Sequence, residues 1–205
     1  MERNDFLEVK SLKELNEKSN DYFTALLNNN FPEIEADSIP TYISLVKRPL
    51  EKQIGIYSGI SLFEAINRIA SDLILWYGLE YLINDVLTSK ERKQIGEIKL
   101  CLGNKNITGQ GDLLICVNGE NQNGEVFNAA KSYFGLKLQN TLNKWEEGKL
   151  HYILCNSDGC PEDLWEKKKK LKEQLEKKNV KLIKVNLSEK MYDDKGALRI
   201  PQFES

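Results

Sequence analysis

An α/β fold, with a mixed central sheet flanked by helices and an N-terminal helical extension, is what this 205-residue sequence predicts. Three observations carry the prediction. Short apolar runs of strand length recur at residues 97–102, 112–117, 125–130, 152–155 and 180–185. Longer stretches with apolar residues at helical spacing lie before and between them, at 61–87, 134–145 and 158–178. Asn118-Gly119, the strongest short hairpin signal a sequence offers, separates two of the apolar runs.

Residues 1–59 are expected to form an accessory segment, and residues 60–205 the core. Leu12, Leu15, Tyr22, Phe23, Leu26 and Leu27, set among many charges, predict one or two amphipathic helices. Residues 31–60, with Pro32, Pro40, Pro49, Gly55 and Gly59, read as irregular. A long helix begins after Ser61, which with Glu64 matches the capping-box spacing. Leu62, Ile66, Ile69, Leu73 and Trp76 run down one face, so this is a core helix. Glu64, Arg68 and Ser71 occupy another flank. Capping is a sufficient account of Glu64, and an accessory role near a metal is the second reading.

The stretch 111–145 organises the rest. Asp112 opens the run Leu113-Leu114-Ile115-Cys116-Val117, and Glu125 opens Val126-Phe127-Asn128-Ala129-Ala130. If Asn118 and Gly119 centre a tight turn, Val117 faces Glu120 and Asp112 lies opposite Glu125. A wider loop slips the pairing but leaves both acids on one sheet face, because side chains alternate with period two. Two facing carboxylates repel, and a sheet tolerates them badly unless something positive sits between them. A divalent metal is the obvious candidate. The competing account makes both acids strand-edge residues in water. Their apolar company argues against it, since strands apolar on successive residues are buried on both faces and buried acids must be paired, metal-bound or protonated.

Beyond the hairpin, Leu138, Leu142 and Trp145 face inward from a helix at 134–145, with Lys137, Thr141 and Lys144 on one flank. Residues 152–155 form a strand. A helix at 158–178 turns Leu164, Leu171 and Leu175 inward and leaves the lysines at 167–170 as a solvated face. Interleaved glutamates neutralise those lysines, which weakens a nucleic-acid role for them. Residues 180–185 form the last strand.

Composition removes several chemistries. The formal net charge is −2, so no global basic charge announces nucleic acid, and such contact must be a local patch. Cys101, Cys116, Cys155 and Cys160 lack a paired metal-site spacing and read as thiols in a reducing compartment. No signal peptide or transmembrane run is visible, which predicts a cytoplasmic protein without membrane partners. The single histidine, His151, starts a strand-like run; sites needing two histidines are excluded, and no nucleophile-elbow sequence accompanies it. Neither a Walker A motif nor a dinucleotide-binding glycine pattern is present. Carboxylate, lysine and amide remain, which suit a hard, oxygen-liganded ion such as magnesium.

The order helix, three strands, helix, strand, helix, strand, with acids on the second and third strands, resembles the PD-(D/E)xK or restriction-endonuclease-like nucleases. The resemblance covers roughly residues 60–187, and GEVFNAAKSYFGLK resembles the third strand of uncharacterised proteins of that class. It implies a restriction-endonuclease-like core and magnesium- or manganese-dependent hydrolysis of DNA, as in a restriction or phage-defence endonuclease. It also implies nucleic acid as partner, double-stranded DNA first, and a homodimer as a further expectation. Asp112, Glu125 and the Val126 carbonyl would be the metal ligands. Two residues depart from the family pattern: Gly111 stands where proline is usual, and Phe127 replaces the motif lysine. In this superfamily the lysine sometimes migrates to the following helix, which points to Lys137, with Lys144 as a phosphate contact along the same flank. Lys131 has the right strand parity, but six extended residues put it about 20 Å from Glu125. It serves only if the chain turns sharply. The alternative is a catalytically inactive module that keeps the fold for nucleic-acid binding or assembly.

Overall fold

The computed structural model describes residues 6–28, 32–103, 111–162 and 169–204. Six strands form one sheet in the order β1-β2-β3-β4-β5-β6. The strands are β1 (Phe6–Val9), β2 (Ile95–Cys101), β3 (Leu113–Val117), β4 (Glu120–Phe127), β5 (His151–Asn156) and β6 (Val180–Val185). The first four pair antiparallel, and β4, β5 and β6 pair in parallel, so the sheet is mixed. Helices α1 (Leu12–Leu27), α2 (Ile39–Lys47), α3 (Leu62–Tyr81), α4 (Ser89–Arg92), α5 (Lys131–Leu142), α6 (Lys169–Lys177) and α7 (Leu187–Lys190), with a π-helical turn at Leu82–Val86 and a 3-10 turn at Ser157–Gly159, complete the described elements.

Alternation along the strands sorts side chains into two layers. Val126, Tyr152 and Leu154 join a core with Leu15, Phe23, Trp76 and Leu79 from α1 and α3. Their neighbours Phe127, Ile153 and Cys155 join a second core with Phe134, Leu138 and Leu142 of α5 and Leu171 and Leu175 of α6. The parallel half is thus buried on both faces, as its unbroken apolar runs require.

Several expectations change. Residues 6–9 are not accessory: β1 pairs with β2, Phe6 opposite Cys101 and Val9 opposite Ile98, and α1 packs in the main core. The domain boundary expected at residues 59 and 60 therefore cuts through one sheet. Residues 39–47, expected to be irregular, are helical, because Ser38 accepts from the Thr41 N–H and Pro40 suits the first turn. Of the helix expected at 158–178, Ser157–Gly159 forms a single tight turn and Lys169–Lys177 is helical; residues 163–168, with Leu164, Lys167 and Lys168, lie outside the described residues. Ile66, expected in the core, is half exposed. α5 starts at Lys131, three residues earlier than expected.

Three expectations match in whole or in part. Asn118 (φ 55°) and Gly119 (φ 79°) form the turn, and Val117 pairs with Glu120. Both positive φ values are what a two-residue turn needs to match the strand twist. Ser61 caps α3 by accepting from the Glu64 N–H, but the Glu64 side chain pairs with Arg68 and does not complete the capping box. His151 is buried, with its ring stacked 4.4 Å from Trp145 and Nε2 3.3 Å from the Glu146 carbonyl, a structural setting, and it does not line the cleft described below. No described helix is long and apolar enough to cross a membrane.

Candidate active site

The pairing that begins at the turn continues to the far end of the hairpin. Leu113 pairs with Gly124, and the Asp112 N–H donates to the Gly124 carbonyl at 2.9 Å, which brings Asp112 beside Glu125. Gly111 makes this possible. Its φ is +74°, and a Cβ there would stand 2.4 Å from the Gly124 carbonyl oxygen. Proline, fixed at negative φ, has no place at this position.

A cleft of about 400 Å³ opens where β2 and β4 end and β3 begins. Asp112, Glu125, Val126 and Asn128 form one wall. Asn67, Ser71, Asp72 and Leu75 of α3 form another, and Lys137 enters from α5 on the opposite side of the sheet. Cys101 and Gly103, at the end of β2, close the floor.

Asp112 and Glu125 touch. Their carboxyl groups lie within hydrogen-bonding reach of each other. Burial pushes both carboxyls above their ordinary range, and the charge of Asp112 pushes Glu125 further. The Val126 N–H, 2.8 Å from Asp112 Oδ2, and the nearby Lys137 ammonium pull Asp112 the other way. Glu125 is only 8% exposed. This is the facing pair the sequence anticipates, each carboxyl raised by burial and Glu125 raised further by its neighbour's charge.

Lys137 reaches the pair from the second turn of α5. Its Nζ donates to the Val126 carbonyl at 2.7 Å and lies 4.5 Å from the centre of the Phe127 ring. Burial lowers its pKa, and the two carboxylates oppose that change. Phe127 is therefore more than an absence. Its ring packs edge-on against Phe134 and offers its face to the ammonium, a cation–π contact.

The remaining candidates are dispersed. Lys131 is exposed at the start of α5 and does not line the cleft. Lys144 is exposed beyond the end of α5, close enough for its charge to act on Glu125 and Lys137. Glu64 pairs with Arg68 one turn along α3 and does not line the cleft. The acid that does is Asp72, which the sequence reading passed over. It is 2% exposed and accepts hydrogen bonds from the hydroxyls of Tyr22 and Tyr57 and, at 3.0 Å, from the Gly103 N–H. Its signal was available: Asp72 heads the uncharged run Leu73–Gly78 of a helix apolar on every side, and such a helix is buried.

Among the described residues no group of three or more His, Cys, Asp or Glu side chains is placed to hold a metal ion. An ion here would have two carboxylates and the Val126 carbonyl, whose second lone pair is free of Lys137. Such a sparse set, all oxygen, fits magnesium, which keeps several waters and takes one or two carboxylates together with substrate phosphate. No family model matches the chain, and neither a curated protein nor a solved structure matches it.

Proposed function

We propose that this chain is a magnesium-dependent nuclease with a restriction-endonuclease-like core, hydrolysing phosphodiester bonds in DNA. The observation that carries the reading is the convergence of Asp112, Glu125 and Lys137 on one cleft at the strand ends, with Lys137 supplying the charge that Phe127 cannot. Asp112, Glu125 and the Val126 carbonyl hold the ion in this reading, with manganese as a substitute. The bound ion lowers the pKa of a coordinated water and polarises the phosphate. Lys137 offsets the charge that develops on the phosphoryl oxygens. Its position between the Val126 carbonyl and the Phe127 ring fixes the ammonium before substrate arrives. Residues 131–144 contain no carboxylate, so Lys131 and Lys144 offer unopposed charge to phosphates on either side of the scissile one.

The second reading, a module that binds nucleic acid without cutting, draws on the engagement of the Val126 carbonyl by Lys137 and on the small acidic set. Plasmid nicking separates the two. The nuclease reading expects relaxed and linear products with magnesium or manganese, and binding without cleavage when calcium replaces them. Binding with no cleavage under any of these ions selects the second reading. No binding at low salt, where phosphate contacts are strongest, overturns both.

A further inference from the structure

Alone among the described helices longer than one turn, α2 contains no fully buried residue. It is not a polar helix. Ile39, Tyr42, Ile43 and Val46 recur at the spacing that places them on one stripe. Val46, at the end of the stripe, packs against the small core of Ile54, Leu62 and Ala65. The rest stands in solvent: Ile39 is 76% exposed, Tyr42 49% and Ile43 45%. On α3, against which α2 packs, Phe63 and Ile66 are half exposed as well. A nine-residue helix is too short to persist on propensity alone and depends on covering such a stripe.

The charges around α2 say what covers it. Glu33, Glu35 and Asp37 precede the helix, residues 38–46 carry no charge, and Lys47 and Arg48 follow. All five charged side chains are exposed, and none has an ion-pair partner among the described residues. A surface that is acidic at one end, apolar in the middle and basic at the other is complementary to itself when turned through a two-fold axis. Antiparallel α2 helices set Tyr42 against Ile43 at the axis and Ile39 against Val46. The acidic end of each copy then meets Lys47 and Arg48 of the other, and the helix dipoles oppose. A parallel arrangement brings like charges together. Neither an anionic membrane nor a phosphate backbone suits a surface whose acids outnumber its bases.

We infer that the α2 face is a two-fold interface between copies of this chain, packed antiparallel through Ile39, Tyr42 and Ile43. The inference does not depend on the chemistry at the cleft. The apolar patch is smaller than the roughly 800 Å² per partner of a strong interface, so the dimer is reversible, with a dissociation constant on the order of micromolar.

Sedimentation equilibrium of the full chain tests it. The wild type is expected as a concentration-dependent dimer, weakened by salt. Ile43→Asp should raise the dissociation constant roughly tenfold or more without lowering the melting temperature, because the site is exposed in the monomer. Asp37→Lys should weaken the dimer more modestly. Under mild oxidation, Ile43→Cys should cross-link into a covalent dimer much faster than Ile39→Cys, with the wild type and its own four cysteines as the control. A wild type that stays monomeric, or a dimer indifferent to Ile43→Asp or Asp37→Lys, overturns the assignment. Equal cross-linking at residues 39 and 43 overturns the antiparallel packing on which it rests.

Discussion

Asp72 and the Asp112–Glu125 pair line one cleft, yet the protein treats their burial in opposite ways. Asp72 receives two tyrosine hydroxyls on one oxygen and a backbone N–H on the other, so both carboxylate oxygens are answered by donors. Asp112 receives one backbone N–H, and beyond that the two carboxyls face each other, with the Lys137 ammonium directed to the Val126 carbonyl. Donors drawn from α1, the loop before α3 and the end of β2 make Asp72 a joint between elements. The other two acids contribute no such joint. A buried carboxylate with its donors in place is architecture, and one without them is available for a ligand.

The largest effect that can break this comparison is loss of cleavage. Asp112→Asn and Glu125→Gln are each expected to abolish magnesium-dependent nicking while leaving the fold intact. Removing one charge relieves the repulsion in the metal-free protein, so the melting temperature should hold or rise. An unfolded variant in either case makes the pair structural and erases its contrast with Asp72.

Next in size is the lysine. Lys137→Ala is expected to slow nicking on the order of a hundred- to a thousandfold, by analogy with a lost transition-state donor, while Lys131→Ala costs little. Magnesium affinity measured by calorimetry should barely change, since the ammonium is not a ligand. A dead Lys131→Ala beside an active Lys137→Ala would show that the charge lies elsewhere.

The contrast also explains what could be read from the sequence. The hairpin register was legible because a two-residue Asn-Gly turn leaves no freedom and the period of two carries it to Asp112 and Glu125. That a phenylalanine stands at position 127, where the resembled motif carries lysine, was legible; that its ring would face the Lys137 ammonium was not, because the contact joins a strand to the second turn of a later helix. β1 was missed for a related reason. Four residues, Phe6-Leu7-Glu8-Val9, carry almost no strand signal, and their identity comes from pairing with β2 some ninety positions on. Asp72 was passed over because the donors that mark it as buried come from α1, the loop before α3 and the end of β2, while Glu64, the acid singled out on α3, pairs with Arg68.

A third test acts on stability alone. Asp72→Ala leaves two hydroxyls and the Gly103 N–H without their acceptor, at an expected cost of about 3 kcal/mol, or about 6–12 °C in melting temperature. Tyr57→Phe should cost less, because Asp72 keeps its other donors. Thermal melts showing Asp72→Ala as mild as Asp112→Asn would mean the two environments do not differ in the way described.

The smallest effect concerns pH, and it asks whether the donors around Asp72 fully offset its burial. Burial pushes this carboxyl from 3.8 to about 7, against the hydrogen bonds from Tyr57, Gly103 and Tyr22, and the charge of Asp112 adds to the rise. A raised carboxyl binds its proton more tightly in the folded chain than in the unfolded one. Between those two values the folded state therefore holds more protons, and stability must fall as pH rises, levelling off above about 7. At its steepest the slope for one group is about 1 kcal/mol per pH unit. Other acids contribute to the wild-type curve, so the informative quantity is a difference. In Asp72→Asn the amide cannot titrate, and the two tyrosine hydroxyls can turn to accept from its nitrogen while its oxygen takes the Gly103 N–H. Urea unfolding of both proteins from pH 5 to pH 8 is expected to give curves that converge on the acid side or cross there, with the wild type losing ground as pH rises. Parallel curves would mean that three donors hold Asp72 ionised throughout. Its setting would then stabilise charge completely, and the difference from the Asp112–Glu125 pair would be greater than burial alone implies.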